Sequence, residues 1–188
     1  EALKGLSQPD RSLDGNDFGA FLTSMLKDVN SQVWEAGQEP IHRGMGTTCT
    51  LAAIRENQLF LSQVGDSRAY LLRAGDLHQL TTDHSWVEEA VAQGMLTSEQ
   101  ARVHPNRNVI TRAIGIHPTV EVDTTAMPIQ EGDTLLICSD GLNSMIDDDK
   151  IKTILKSNQI DEVCQGLIEG ANASGGHDNT TVIVAVIE

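Results

Sequence analysis

Residues 47–80 read TTCTLAAIRENQLFLSQVGDSRAYLLRAGDLHQL, and their rhythm decides the fold class. Thr47–Ile54 and Leu59–Val64 flank a turn at Arg55-Glu56-Asn57, and Ser67–Arg73 and Leu77–Leu80 flank Ala74-Gly75-Asp76. Short β-branched and apolar runs separated by turn formers predict consecutive antiparallel strands joined as hairpins. Upstream the period changes. Phe18, Phe21, Leu22, Met25, Leu26, Val29 and Val33 recur at three- and four-residue steps, which places them on one face of a helix over Asp17–Ala36. Asn16 or Asp17 can cap it and Gly37 can end it. The polar, turn-rich residues 5–16 before it read as a loop.

Downstream of residue 80 the strand rhythm breaks. Trp86–Gln93 predicts a short helix that Gly94 ends, Thr97 caps a second with Glu99 in its first turn, and Pro105 closes the stretch. Residues 83–108 thus read as a helical insertion between strands, of the kind that covers a site. Strand patterns return at Val109–Ala113, Thr119–Ala126 and Thr134–Cys138, followed by helices at Asp147–Lys156 and Asp161–Ala173. The last strand, Thr180–Ile187, is apolar on both faces and is expected to be central in its sheet. The class is therefore α+β with stacked layers, in a single domain over residues 1–188.

Composition bounds the function. The chain has 188 residues, is 39% hydrophobic and carries a net charge of −14. Three Phe, two Trp and one Tyr leave a core of Leu, Ile, Val, Ala and Met. So acidic a surface repels phosphate backbones and anionic lipid, which argues against nucleic acid and membrane partners. No apolar run approaches the roughly 20 residues that span a bilayer. The start, Glu-Ala-Leu-Lys-Gly-Leu, has neither a signal peptide's regions nor a Met, and suggests a trimmed or partial chain. Cys49, Cys138 and Cys164 lack C-x-x-C spacing and read as three buried thiols in a reducing cytoplasm.

Three aspartates sit at the ends of apolar strands beside glycine: Asp66 after Gly65, Asp140 before Gly141, and Asp178 after Gly-Gly-His. A strand end holds the backbone, the glycine allows a sharp turn, and the carboxylates project into a shared space. Converging carboxylates repel unless a cation lies between them, and oxygen-only ligands suit Mg²⁺ or Mn²⁺. Taken singly, each also fits an ordinary turn or loop cap. Asp147, Asp148 and Asp149 read as a helix start, Asp76 as a turn residue, and Asp83-His84 as an N-cap for the helix after Ser85. His177 is placed to line the same space as Asp178. There is no G-x-S-x-G elbow and no phosphate loop with its lysine.

The order of five motifs is then informative. Gly44-Met45-Gly46-Thr47-Thr48, Val64-Gly65-Asp66-Ser67-Arg68, Leu80-Thr81-Thr82-Asp83-His84, Cys138-Ser139-Asp140-Gly141-Leu142 and Gly176-His177-Asp178-Asn179-Thr180-Thr181-Val182 resemble the metal-dependent protein phosphatases of the type 2C family, most of all its compact bacterial members. Gly94-Met95-Leu96-Thr97 and Glu99-Gln100-Ala101-Arg102 resemble that family's flap. The resemblance implies two stacked antiparallel β-sheets flanked by helices, a four-layer αββα fold. It implies hydrolysis of phosphoserine and phosphothreonine with Mn²⁺ or Mg²⁺. By it, Asp140 and Asp178 hold two catalytic metals, Asp66 a third, and a metal-bridged water attacks phosphorus without a covalent phosphoenzyme. A phosphorylated protein is the implied substrate, with a serine/threonine kinase acting in opposition. Family members also begin with a segment that supplies a phosphate-binding Arg, further metal ligands and a general acid, so no catalytic side chain beyond the metal set is assigned here. Glu1-Ala2-Leu3 resembles the tail of the following helix, which implies that roughly 50 residues and two strands precede this chain. By the same reasoning the chain by itself is expected to be nearly inactive. The alternative reading is a pseudophosphatase that binds a phosphoprotein without turnover.

Overall fold

The computed structural model describes residues 15–156 and 159–188. The helix tail expected at Glu1-Ala2-Leu3 and most of the loop expected over residues 5–16 lie outside them; residues 15 and 16 already belong to the first helix. In chain order the elements are α1 (Gly15–Ala36), β1 (Cys49–Arg55), β2 (Gln58–Val64), β3 (Arg68–Arg73), β4 (Asp76–Gln79), α2 (Trp86–Ala92), α3 (Ser98–Val103), β5 (Asp123–Pro128), β6 (Thr134–Cys138), α4 (Asp140–Asn143), α5 (Asp148–Leu155), α6 (Ile160–Ala173) and β7 (Val182–Val186). A single 3-10 turn spans Pro40–His42. Among the described residues no helix is long and apolar enough to cross a membrane.

The class is α+β: two antiparallel sheets, each with its own helices, in two compact units. The first unit takes residues 15–65, His84–Trp86 and Asn108–Pro128. Its sheet has the order β1-β2-β5, and the apolar face of α1 lies against β5 and β2. Phe18 and Leu22 are buried there, with Phe18 edge-on to Phe60 at 5.0 Å between ring centres. The second unit takes Asp66–Asp83, Val87–Arg107 and Ile129–Glu188, with the sheet order β4-β3-β6-β7. Its core joins Tyr70 and Leu136 of the sheet to Leu142, Ile151 and Leu167 of α4, α5 and α6.

Several expectations shift. The four strands read from residues 47–80 are antiparallel in pairs, but β2 and β3 belong to different sheets, so the chain changes sheet across Gly65-Asp66-Ser67. Val109–Ala113 is not a strand. Ile110 and Ile114 make only isolated bridges, and the segment's hydrogen bonds go to separate loops: Thr111 N–H to His84, Ile114 N–H to Thr47. Thr119–Ala126 pairs only from Asp123, over Asp123–Pro128. β7 is the last strand in its sheet rather than central, and Ile183 and Val186 are exposed; apolarity on both faces does not by itself report the number of neighbours. Of the three thiols, Cys138 is buried while Cys49 and Cys164 are half-buried, and all are unpaired.

Both hairpins close in two residues, with Arg55 opposite Gln58 and Arg73 opposite Asp76. Glu56 and Asn57 have φ of 50° and 60°, Ala74 and Gly75 of 50° and 87°. These are the positive-φ pairs of a type I′ turn. Alanine is a poor occupant of that region, since its Cβ crowds the backbone. Ala74→Asn, which restores the favoured Asn-Gly pair, should therefore stabilise the protein by about 0.5–1 kcal/mol. An unchanged or lower urea midpoint would contradict this account of the turn.

Candidate functional site

Each strand-end aspartate is placed by backbone rather than by its own side chain. β2 ends at Val64, and Gly65 follows with φ of +116°; a Cβ there would lie 2.4 Å from Thr48 Cβ. Asp66 comes next. Two residues on, Arg68 donates through Nε and Nη2 to both oxygens of Asp83 (2.7–3.0 Å) and through Nη1 to the Tyr70 hydroxyl at 3.0 Å. This ion pair is largely sheltered, with the two side chains 21% and 10% exposed, and it fixes the start of β3. Asp83 is thus not the N-cap expected of it. A guanidinium at bidentate distance is a stronger partner than a helix amide. His84 is no cap either: it is buried, and its Nδ1 accepts the N–H of Gly65.

β6 delivers Asp140 as the first residue of α4, a four-residue helix that nothing in the periodicity announces. Asp178 follows α6 after Gly175 and Gly176, whose φ are 131° and 54°. A seam joins the two segments. Ser139 N–H donates to Thr181 O at 3.0 Å, and Ser139 Oγ accepts from Thr181 N–H at 3.0 Å and donates to Asn179 O at 3.2 Å. Thr180 Oγ1 donates to Gly141 O at 3.0 Å. The approach is so close that a Cβ on Gly141 would sit 2.3 Å from Asn179 O. This answers why glycine follows Asp140: any side chain would push Asp140 and Asp178 apart.

The electrostatics follow. The Asp66 carboxyl is pushed up to about 6, first by burial and then by the charge of Asp140, with Asp83 adding to it and Arg68 and its own amide opposing. Asp140 is also raised, by burial first and then by Asp178. Asp140 is the middle member, coupled to a carboxylate on either side. Among the described residues no three His, Cys, Asp or Glu side chains stand together as a ready metal-binding group. The structure thus brings the carboxylates within electrostatic reach as pairs around Asp140. His177 and Asp178 do share a space, an open hollow of about 340 Å³ lined also by Ile168, Asn172, Gly176, Asn179 and Thr180. Asp147 is the N-cap of α5, accepting from Lys150 N–H at 2.8 Å, so the Asp147–Asp149 run starts a helix as read. Thr97 caps α3 in a reciprocal box with Gln100. The partnership of Asp83 with Arg68 is what sequence reasoning missed; the cue was an arginine two residues after a strand-end acid, which needs a partner.

Two outcomes test this geometry. Gly141→Ala should lower stability by about 1–3 kcal/mol through overpacking against backbone that cannot move aside, read as a fall in melting temperature; a melt like that of the unaltered protein would refute the seam. Asp66 binds its proton more tightly folded than unfolded, so ionising it costs stability as pH rises from about 4 to above 6. In chelator, Asp66→Asn should therefore raise the melting temperature at pH 7 and leave it nearly unchanged at pH 4. Equal effects at the two pH values would show that Asp66 is not pressed by its neighbours.

The sequence matches the Protein phosphatase 2C family over residues 7–180. It is 41% identical over 174 residues to the serine/threonine phosphatase stp of Listeria welshimeri, which spans 92% of this chain and 69% of that protein. The fold superposes with a TM-score of 0.90 on the Mycobacterium tuberculosis serine/threonine phosphatase PstP/Ppp, at 39% identity, over 100% of this chain and 78% of that one. A structure of the PstP catalytic domain in complex with two manganese ions gives a TM-score of 0.84 at 36% identity, over 100% of this chain and 78% of that one. With its two antiparallel sheets, its aspartates beside the sheet ends and these relatives, the chain belongs to the protein phosphatase 2C family, that of the bacterial serine/threonine phosphatases.

Proposed function

We propose that the full-length protein hydrolyses phosphoserine and phosphothreonine in proteins, with Asp140 and Asp178 holding catalytic divalent metals and Asp66 a third. The observation that carries it is the seam at Ser139–Gly141, which sets Asp140 beside Asp178 in a chain of this family. The donor set fits hard cations such as Mn²⁺ or Mg²⁺, being carboxylate oxygen throughout. It also fits electrostatically, because Asp66 and Asp140, each raised by burial and by a neighbouring carboxylate, are relieved by positive charge. Asp140, which raises Asp66 and is raised by Asp178, would be a central member of the set that holds the cations. The two manganese ions of PstP support the same reading.

Bound there, the ions supply the positive charge that eases ionisation of a water and stabilises the phosphoryl oxygens during displacement. The chain's own residues do the rest. Ser139 and Thr180 keep the two ligand segments from splaying under their mutual repulsion. Asp66 takes up a proton below about pH 6, so protons compete with the cation there and affinity falls with pH. Residues 83–108 act as a flap that shapes access; Met95 and Val103, both exposed, offer it apolar contacts to a peptide. The substrates are proteins phosphorylated by a serine/threonine kinase, which this activity opposes.

With a phosphothreonine peptide and Mn²⁺, the native protein should release inorganic phosphate, and chelator should abolish release. Asp140→Ala should lower the rate by about 100-fold or more, since it would remove a proposed metal ligand. Turnover that survives both chelator and Asp140→Ala would overturn the proposal.

A further inference from the structure

His84 has no part in the chemistry above, yet it is 5% exposed and each ring nitrogen has a defined partner. Gly65 N–H points at Nδ1 from 2.9 Å. A donor there leaves Nδ1 without a proton, so the ring proton is on Nε2. Nε2 lies 3.2 Å from Asp123 Oδ2, and Arg112 Nη1 donates to Asp123 Oδ1 at 2.7 Å. Arg112 Nη1 is also 3.0 Å from Nε2, but both are donors, so both direct their protons at Asp123. Burial alone would raise the Asp123 carboxyl; hydrogen bonds from His84 and Arg112 outweigh it and hold it below the usual range. The ring is therefore locked in one tautomer and one orientation.

That lock acts on a single residue, Gly65, on the peptide N–H at its front. His84 N–H donates to Gly65 O at 3.0 Å, and Gln63 Nε2 donates to the same oxygen at 3.0 Å. Both polar groups of Gly65 are thus tied, at a φ of +116° that only glycine adopts readily. The next residue is Asp66, whose Cα completes the peptide that begins at the Gly65 carbonyl, so its position follows from the backbone set on both sides of the Gly65 Cα. We infer that His84 is a positioning residue, which sets Asp66 by holding the amide of Gly65 and is itself oriented by Asp123 and Arg112. The inference rests on the reading of Asp66 as a metal ligand. It extends the usual outer-shell logic, in which an oriented histidine fixes a ligand, to a histidine acting through backbone.

Two variants separate positioning from mere packing. Asn places Oδ1 near the Nδ1 position and keeps an acceptor for Gly65, whereas Gln reaches only the Nε2 position and loses it. In His84→Gln the Gly65 amide should exchange with solvent about tenfold faster and half-saturating Mn²⁺ should rise about tenfold, while KM for the phosphopeptide at saturating Mn²⁺ stays within about twofold. His84→Asn should recover most of both effects. Should His84→Gln fail to fold, Asp123→Asn, at a half-exposed position, loosens the ring from its other side and must shift the same two readouts in the same direction. Unchanged Gly65 exchange overturns the clamp; faster exchange with an unchanged Mn²⁺ response overturns its effect on Asp66. A native protein whose activity ignores Mn²⁺ sinks the metal reading itself, and the positioning role with it, even if Gly65 exchange responds.

Discussion

Carboxylates do not gather unaided, and the backbone seam between Ser139–Gly141 and Asn179–Thr181 is what overcomes their repulsion here. Four hydrogen bonds cross it, three through the Ser139 backbone and hydroxyl and one from the Thr180 hydroxyl. None uses the side chain of Asp140. A glycine at 141 lets the two backbones meet at a distance that no side chain permits. The cost of crowding the acids is met by neutral groups at the segment ends, in a region where β6 and β7 are already paired from Cys138 to Val182. The ladder sets the register, the seam extends it past the strand ends, and the aspartates inherit their positions. Removing repulsion would not create this site; removing the seam would undo it.

The legible part of the fold was local. The stripe of Phe18, Leu22 and Leu26 announced α1, and the turn signals at Arg55-Glu56-Asn57 and Ala74-Gly75-Asp76 announced both hairpins, each one residue longer than the turn that forms. What escaped was pairing between distant segments. Nothing in Val64-Gly65-Asp66-Ser67-Arg68 says that the chain leaves one sheet and enters another, because both strands are equally apolar and the change lies in a single glycine's φ. Val109–Ala113 has strand composition but only isolated bridges, since its potential partners are loops fixed elsewhere. The apolar Thr180–Ile187 run suggested a central strand, whereas neighbour number is a property of topology.

The same division holds for the site. Asp66 and Asp140 were visible because each stands at a strand end beside glycine, a pattern with a backbone cause; Asp178 was read the same way, but it lies in the loop between α6 and β7, two residues after Gly176. The roles of Asp83 and His84 were not visible, because an Asp-His pair before a helix is equally good as a cap. Only the placement of Arg68 and Gly65 tells a clamp from a cap. A charge-bearing side chain declares its chemistry in the sequence, but its partner is declared only by the fold.

That distinction sorts the acidic residues of this very acidic chain into two kinds. Asp83, Asp123 and Asp133 each face a guanidinium, of Arg68, Arg112 and Arg73, and Asp123 and Asp133 are held below the ordinary carboxylate range. For Asp133 the arginine is the leading cause. Asp66 and Asp140 are raised instead, by burial first and then by a neighbouring carboxylate, Asp140 for Asp66 and Asp178 for Asp140. With 13 basic residues against 27 acidic ones, most acids can simply face water. Keeping two of them half-buried, close to a third, and away from the arginines that serve their neighbours is a choice of placement. Arg68, two residues from Asp66, shows how narrow that choice is: its guanidinium turns to Asp83 and Tyr70, so the adjacent carboxylate stays short of positive charge. The deficit is local and directional, and a small divalent cation is the species whose size and charge answer it.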